Sequence, residues 1–354
     1  MRARAVPTSP LSAEAVADCI RAATRAPSIH NTQPWRFRVD RRDIEVSVDR
    51  DRQLAVLDPT GRQMFMSVGA AVFNLRLALL THGRVPVQRL LPDPTRPDLV
   101  ARIRACPTTV PTATAAVLAA EIDRRHTNRL PFRPTAIPRP VLDDLIGAAA
   151  AEGARLTLAE PVVRDAILAL TGTADERLLK QAAYRDELAT WTGGRGLRRD
   201  GVPAYAYGPR DIAQRLPLRQ FGRCRGTAAF ERPTLVVLLT CGDTPYHWVR
   251  AGQALQRVLL TATARGLAAS PVNQALEIPD LRRLVTDQEA GCYAQAILRL
   301  GYGEPVRPTP RREVHDVLAA ETPRPPGDPA AGGRPREDQE PRAEGEDCHG
   351  AGTP

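Results

Sequence analysis

Two short segments of the sequence carry residue types that could hold a ligand or take part in chemistry. The first segment spans residues 26–35 and reads APSIHNTQPW. Its polar side chains offer hydrogen-bond donors and acceptors beside an aromatic residue, and they are Ser28, His30, Asn31 and Gln33. Pro27 and the same polar residue types also occur in ordinary turns between a helix and a strand. The segment alone leaves a ligand site and a structural turn equally open.

The second segment spans residues 124–132 and reads RRHTNRLPF. Three of its arginines and one threonine fall within six consecutive residues. Guanidinium groups bind phosphate through paired hydrogen bonds, and hydroxyl and main-chain N–H groups can complete such a site. A solvated basic turn has the same composition. The segment is therefore compatible with a phosphate site and with an exposed turn.

Two further segments are weaker indicators. Residues 266–274 read GLAASPVNQ and follow an apolar helical pattern, and residues 309–314 read TPRREV and form a basic turn. No catalytic triad and no carboxylate pair is visible in the sequence. The six cysteines are scattered, with no C-x-x-C pair and no histidine at metal-ligand spacing. We therefore expect neither a bound metal nor a disulfide framework.

The composition is that of a globular chain of about two domains, with 354 residues, 43% hydrophobic and 25% charged. The net charge of +9 comes from arginines spread along the chain, without a basic stripe or a nucleic-acid-binding motif. Attraction of an anionic cofactor explains this charge better than a nucleic-acid partner. No apolar run is expected to span a bilayer, and the first residues lack a signal-peptide core. We expect a cytoplasmic protein without a membrane partner.

The sequence contains an internal repeat, which pairs 58–83 with 243–266 and 11–23 with 137–149. Gly69 aligns with Gly252, 183 residues later, and Gly83 aligns with Gly266 as the C-terminal stop of a buried helix. The earlier helices are only 126 residues apart, so the second half has 57 further residues between its repeated helices. The candidate for this insertion is the irregular segment 184–230, whose aromatic residues favour a packed lid.

Strand-like runs surround these helices without regular βαβ spacing, at 35–40, 43–49, 233–240 and 293–301. This pattern predicts an α+β fold of three layers, with two similar units side by side. The expected organisation is a first half over 1–118, a second half over 119–320 with the inserted lid, and a tail over 321–354. The tail lacks all large apolar residues and is expected to be disordered.

Taken together, the four segments resemble those of the nitroreductase family of FMN proteins, and most closely its single-chain, duplicated branch typified by the mycobacterial Acg proteins. Residues 26–35 match the family's P-S-x-x-N-x-Q-P-W segment at every defined position. Residues 124–132 are similar to its R-x-S-x-R phosphate motif, and 266–274 to the segment that passes the flavin N5 edge. A basic residue within 309–314 resembles the one that reaches the phosphate.

The resemblance implies a nitroreductase-like fold, internally duplicated as a single-chain pseudo-dimer, and FMN as the cofactor. The cofactor-binding residues that it implies are Pro27, Ser28, Ile29, His30, Asn31, Gln33, Arg125, His126, Thr127, Arg129, Pro271, Val272, Asn273, Gln274, Arg311 and Arg312. The first motif occurs only in the first half and the arginine motif only in the second half. We therefore expect one flavin site per chain and a degenerate second site.

Two functions follow from the resemblance and stay open at this point. The first is NAD(P)H-dependent reduction of nitroaromatic or quinone-type acceptors. The second is flavin storage or sequestration with little turnover, in which the inserted segment closes over the flavin. A pseudo-dimer already contains the family's two halves, so the protein is expected to be a monomer or a homodimer.

Overall fold

The structure is a computed structural model that describes residues 11–40, 43–107, 112–193, 198–222, 226–286 and 289–319. The tail that we expected to be disordered, 321–354, lies outside the described residues. Within them, two four-stranded antiparallel sheets are accompanied by two 20-residue helices that pack against each other.

The first sheet is formed by the N-terminal part of the chain. Its helices and strands are α1 (Ala13–Thr24), β1 (Trp35–Asp40), β2 (Asp43–Val48), α2 (Arg62–Thr81), β3 (Arg84–Leu90), β4 (Leu99–Pro107) and α3 (Ala113–Ala120). The strand order is β1-β2-β4-β3, and every neighbouring pair is antiparallel. The predicted start of α1 near Ser12 is confirmed, because the Ser12 hydroxyl accepts a hydrogen bond from the Ala15 N–H at 3.2 Å.

The second sheet has the corresponding order β5-β8-β10-β9, again antiparallel throughout. The remaining elements are α4 (Arg139–Ala150), β5 (Arg155–Leu158), α5 (Pro161–Lys180), α6 (Ala182–Thr190), β6 (Arg210–Asp211), β7 (Thr227–Ala228), β8 (Thr234–Thr240), α7 (Pro245–Ala264), β9 (Ala268–Pro271), α8 (Pro279–Val285), β10 (Tyr293–Gly301) and α9 (Val314–Val317). Strands β6 and β7 form a separate parallel pair.

Helices α2 and α7 approach each other at their glycines. A Cβ atom at Gly69 would lie 2.2 Å from the main-chain oxygen of Val249, and one at Gly252 would lie 2.0 Å from that of Met66. A side chain at either position would push the helices apart. The predicted helix stops are also confirmed, since Gly83 and Gly266 follow these helices with φ of 68° and 73°.

Helix α2 corrects the expectation that no apolar run is long enough to span a bilayer. Among the described residues it meets that criterion by length and composition, with 83% of its most apolar window buried inside the protein. A helix that is apolar on all sides is also what the centre of a protein core requires.

The connection between β5 and β8 contains most of the irregular structure. Two residues separate β1 from β2, whereas 75 separate β5 from β8. The segment expected to form a lid, 184–230, covers the later part of this connection, which also includes α5 and the start of α6. The predicted strands at 35–40 and 293–301 are confirmed at both ends.

Candidate functional site

Two adjoining cavities bring the four sequence segments together. The central cavity encloses about 880 Å³ and the basic cavity about 470 Å³, solvent at their mouths included. They share five wall residues, which are Pro27, Ser28, His30, Thr127 and Arg129. One elongated site therefore lies between the segments 26–35 and 124–132.

His30 stands between the two cavities in an unusual backbone conformation. Its φ of 46° is left-handed, as are those of Asn31 and Gln33 at 57° and 52°. Residues other than glycine rarely occupy this region, although Asn and His enter it more readily than most. The imidazole is 6% exposed, and neither ring nitrogen has a hydrogen-bond partner in the described part of the chain. Burial, followed by the charges of Arg219 and Arg129, lowers the pKa of His30 well below its ordinary value. The neutral ring can offer one donor and one acceptor to a ligand.

Four arginines line the basic cavity, and the three that are not exposed lack a carboxylate partner among the residues that the structure describes: Arg125, Arg129 and Arg311. Arg125 donates to a main-chain oxygen at 3.1 Å, and Arg129 donates to another at 3.2 Å. Burial lowers the pKa of both to about 10. For Arg311, burial and then Arg125 and Arg25 lower the pKa to about 9. An anion in this cavity would supply the missing countercharge.

The arginine segment is attached to the second sheet. Thr127 forms a parallel bridge with Ala269 of β9, and the Asn128 N–H donates to the oxygen of Ala269 at 2.9 Å. His126 also lines the basic cavity. Burial, followed by Arg125 and Arg311, lowers the pKa of His126 to about 4.

Asn31 fixes the first segment to the far wall of the basic cavity. Its side-chain oxygen accepts from Arg311 at 2.9 Å, and its amide nitrogen donates to the main-chain oxygen of Gly201 at 2.9 Å. The Ser28 hydroxyl accepts from the Gln33 N–H at 2.9 Å and so stabilises the local turn. The turn and the ligand-site interpretations of this segment are therefore compatible.

The segment after β9 contributes to the central cavity through Pro271, Asn273 and Gln274. The side-chain oxygen of Asn273 accepts from the Ile297 N–H of β10 at 2.8 Å, which holds the segment on the sheet. Ser270 lines the same cavity, and its buried hydroxyl has no partner among the described residues. Ser270 lies within the segment 266–274 but was not among the residues that the resemblance implied.

Three residues expected to bind the cofactor lie outside the walls of both cavities: Gln33, Val272 and Arg312. Gln33 donates to the Arg199 oxygen at 2.8 Å and accepts from the Arg312 N–H at 2.8 Å, so it joins two chain segments. Val272 is fully buried in an apolar cluster with residues of β8 and β10.

Helix α2 supplies a wall that sequence reasoning missed. Gln63, Met66, Ser67 and Ala70 line the central cavity, and their spacing of three to four residues places them on one face of the helix. That spacing was readable in the sequence, but it is equally typical of a helix face buried in a core.

The segment 198–222 contributes another wall of the central cavity. Leu218, Arg219 and Phe221 line the central cavity, and the Phe221 ring lies 5.4 Å from that of His30 and 4.7 Å from the Arg129 guanidinium. Arg219 pairs with Glu277, which lines the cavity as well. This segment therefore packs directly on the site.

Comparisons with known proteins identify relatives of the chain. No protein-family model matches the chain. A Mycobacterium tuberculosis protein named "Putative NAD(P)H nitroreductase" is 35% identical over 318 residues, which cover 86% of this chain and 91% of the relative. A second protein of that organism, "Putative NAD(P)H nitroreductase acg", is 28% identical over 325 residues, covering 88% of this chain and 98% of its own.

Solved structures are more distant. The FMN-dependent nitroreductase NfnB from Mycobacterium smegmatis, in complex with NADPH, has a TM-score of 0.36 and 20% identity, and the match covers 57% of this chain and 96% of that chain. A nitroreductase with bound FMN from Desulfitobacterium hafniense has a TM-score of 0.37 and 14% identity, with 58% and 98% covered. The assignment rests on the sequence match instead: at 35% identity over 86% of its length, the chain belongs to the nitroreductase family.

Proposed function

We propose that this protein binds FMN in the two joined cavities and uses it to transfer electrons from NAD(P)H to a nitroaromatic or quinone-type acceptor. The observation that carries the proposal is the group of Arg125, Arg129 and Arg311, which lack a carboxylate partner in the described part of the chain. Such charges are costly in a buried site unless an anion accompanies them. A phosphate group suits the paired N–H donors of guanidinium.

The unpartnered polar atoms of the site fit the whole of FMN. Buried atoms without a partner include both ring nitrogens of His30, the Ser270 hydroxyl, and the Nε atoms of Arg125 and Arg311. The arginine atoms belong to the basic cavity and Ser270 belongs to the central cavity. The site therefore suits a ligand with an anion at one end and a polar ring system at the other.

Each part of the site then has a role in binding. Arg125, Arg129 and Arg311 would hold the phosphate, and His30 would contact the ring system from the first half of the chain. Bound FMN supplies the two-electron transfer between NAD(P)H and the acceptor. Met66 of α2 and Phe221 provide apolar walls of the central cavity, which limit the access of water to the ring system.

The relatives support the choice of electron donor. Both M. tuberculosis proteins carry NAD(P)H nitroreductase in their names, and each match covers nine-tenths or more of the relative. The nitroaromatic class of acceptor is proposed on the same basis, and the quinone class on the family resemblance alone.

We also propose that the chain is an internally duplicated pseudo-dimer. The two sheets share one strand order, and α2 and α7 meet through Gly69 and Gly252, which the repeat aligns. In the repeat, Gly153 takes the place of Pro27 and Arg250 takes the place of Ser67. These two residues mark where a second flavin site would lie.

That second position is filled by side chains, which supports one FMN per chain. A Cβ atom at Gly153 would lie 1.8 Å from the Arg250 guanidinium. Arg250 donates to the main-chain oxygen of Glu152 at 3.0 Å, and the buried Glu152 carboxylate pairs with Arg76 at 2.7 Å and Arg257 at 3.0 Å. At this second position, Arg76 and Arg257 therefore already have a carboxylate of the protein as their countercharge.

A visible spectrum of the purified protein, followed by anaerobic addition of NADPH or NADH, tests the proposal. We expect a yellow protein with about one FMN per chain that bleaches within seconds. A colourless protein that takes up no FMN would contradict FMN binding. A yellow protein that bleaches with dithionite but not with either nicotinamide would contradict the oxidoreductase activity alone.

The packing of segment 198–222 favours a second candidate function, flavin storage or sequestration with little turnover. Gln274 donates to the Pro217 oxygen at 2.9 Å, and Tyr205 donates to the Pro308 oxygen at 2.7 Å. Together with Phe221 on the cavity wall, these contacts support an ordered cover over the site. A closed cover would prevent the stacking that hydride transfer needs.

Substitution of Phe221 separates the two candidates. If the segment closes the site, Phe221→Ala should raise the rate of NADPH oxidation several-fold without lowering FMN content. Ile212→Ala is the matched control, because Ile212 lies in the same segment and is 65% exposed. An unchanged rate in Phe221→Ala, together with rapid bleaching of the wild type, would rule out storage as the main function.

A further inference from the structure

Arg299 is a buried arginine that neither the family motifs nor the cavities of the proposed FMN site include. It lies on β10, is 2% exposed, and has no carboxylate partner among the residues that the structure describes. Its Nε atom is buried without a hydrogen-bond partner in the same set. An arginine in this state needs an explanation, because burying a guanidinium without a countercharge is unfavourable.

The contacts of Arg299 point to the arginine segment. Its Nη2 atom donates to the main-chain oxygens of Asn128 and Leu130, at 3.0 and 2.9 Å. These two residues flank Arg129, a wall residue of both cavities. One nitrogen atom thus holds the chain on either side of the residue proposed to bind the phosphate.

The surroundings hold the Arg299 guanidinium in place. The Phe132 ring lies 3.8 Å from its central carbon and the Phe230 ring lies 5.4 Å from it. A Cβ atom at Gly301 would lie 2.6 Å from the Phe132 ring, and one at Gly303 would lie 2.9 Å from it. The glycines leave room for Phe132 beside Arg299, so the conformation of the guanidinium is enforced on more than one side.

Arg299 also adds positive charge close to the phosphate site. Burial, followed by the charge of Arg129, lowers the pKa of Arg299 to about 9. The cation is therefore retained at neutral pH, and its hydrogen bonds to the residues on either side of Arg129 place it next to that part of the chain. A phosphate bound by Arg129 would be attracted by both.

We infer that Arg299 is a positioning residue for the phosphate-binding segment and that it sets the preference of the site for FMN over riboflavin, which lacks the phosphate. The inference rests on the proposed FMN function. It differs from a purely structural role in one measurable respect: loss of Arg299 should weaken the binding of FMN far more than that of riboflavin.

Titration of the flavin-free protein with FMN and with riboflavin, followed by flavin fluorescence, measures this preference as a ratio of two dissociation constants. We expect Arg299→Met to weaken FMN binding about tenfold or more, which corresponds to about 1.4 kcal/mol, with less than a threefold change for riboflavin. Arg299→Lys keeps the charge but cannot reproduce the planar fork, and its ratio should lie between those of Arg299→Met and the wild type.

Arg62→Met is the matched control. Arg62 is 4% exposed and donates to the main-chain oxygens of Gln295 and Leu276, at 2.8 and 3.0 Å, but it does not contact the arginine segment in the described structure. Its loss should destabilise the fold to a similar extent, which urea unfolding measures, while the FMN-to-riboflavin ratio stays at the wild-type value.

Two results would overturn the inference. Equal weakening of both flavins in Arg299→Met would assign Arg299 a structural role only, and unchanged affinity for both flavins in a folded variant would assign it none at this site. If Arg299→Met does not fold, an unchanged ratio in Arg299→Lys overturns the inference equally. A wild-type protein that binds neither flavin would instead contradict the proposed function on which the inference rests.

Discussion

Among single residues, His126 has a pKa that depends on its burial in the basic cavity and on the positive charges around it. Burial, followed by Arg125 and Arg311, lowers its pKa to about 4, against an ordinary value of about 6.5. Because the folded-state pKa lies below the unfolded-state value, the unfolded chain takes up the proton first as the pH falls. The stability that depends on a neutral His126 is therefore present above about pH 6.5 and is lost between about pH 6.5 and 4.

Replacement of His126 by glutamine should remove this loss. We expect His126→Gln to lose about 1 kcal/mol less unfolding free energy than the wild type between pH 7 and pH 5, as measured by urea unfolding of the flavin-free protein. His315→Gln serves as the control, because that side chain is 81% exposed, and it should follow the wild type. Identical pH dependence in wild type and His126→Gln would contradict the electrostatic description of the basic cavity.

The sequence predicted most of the residues at the site but not the direction of every side chain. Ser28, His30 and Arg129 were expected and line the cavities. Val272 was expected too, but it faces an apolar cluster while its neighbours Pro271 and Asn273 face the cavity. A motif match treats consecutive residues alike and cannot show which of them the fold buries in the core.

At the level of elements, helices α2 and α7 cross at Gly69 and Gly252, and these glycines determine how closely the two helices pack. The site depends on this packing, because α2 and Leu255 of α7 line the same cavity. The sequence aligned Gly69 with Gly252, and the structure shows that both glycines lie where the helices meet. The sequence did not predict β3, since Pro86 interrupts its pattern, and only an edge position tolerates a proline of this kind.

Alanine substitutions at two helical glycines test the crossing. Gly69→Ala should reduce the unfolding free energy by about 1–3 kcal/mol, because the new Cβ would meet the Val249 main-chain oxygen at 2.2 Å and force the helices apart. Gly147→Ala in α4 is the control, since its Cβ would have no atom within 4 Å.

The control should be stabilised by up to about 1 kcal/mol, because alanine has the higher helix propensity. Chemical unfolding of both variants against the wild type gives the comparison. Opposite signs are expected, and stabilisation of Gly69→Ala would mean that the helices do not touch at this position.

The connection between β5 and β8 is a part of the fold that the sequence pattern could not place in full. The count of 57 additional residues was available from the repeat, but its placement at 184–230 missed α5, which precedes that segment. The residues that α5 buries, among them Ile167, Ala174 and Leu178, follow ordinary helical spacing. Nothing in its sequence distinguishes an inserted helix from one of the repeated unit. In the structure, β5 pairs directly with β8, and α5 lies in the connection between these two strands.

At the scale of the whole molecule, the two halves differ in how they compensate their arginines. In the second-site position, the Glu152 carboxylate pairs with Arg76 and Arg257. At the candidate site, Arg125 and Arg129 have no such partner among the described residues. The flavin-free protein should therefore carry an electrostatic cost at one position only, and the ligand should remove it.

This asymmetry predicts opposite effects of similar substitutions. The double variant Arg125→Met and Arg129→Met should be at least as stable as the wild type without flavin, because buried like charges are replaced by apolar side chains. It should also lose the stabilisation by FMN, which for the wild type is about 2.7 kcal/mol at a concentration of 100 times Kd. Thermal unfolding with and without added FMN measures both quantities.

The matched variant Arg76→Met should behave in the reverse manner. It leaves the buried Glu152 carboxylate with one arginine fewer, so the flavin-free protein should unfold at a lower temperature while the FMN-dependent increase stays at the wild-type value. If the double variant retained the full increase, the phosphate would have to bind elsewhere. If Arg76→Met reduced it, part of the FMN-dependent stabilisation would have to come from the second position.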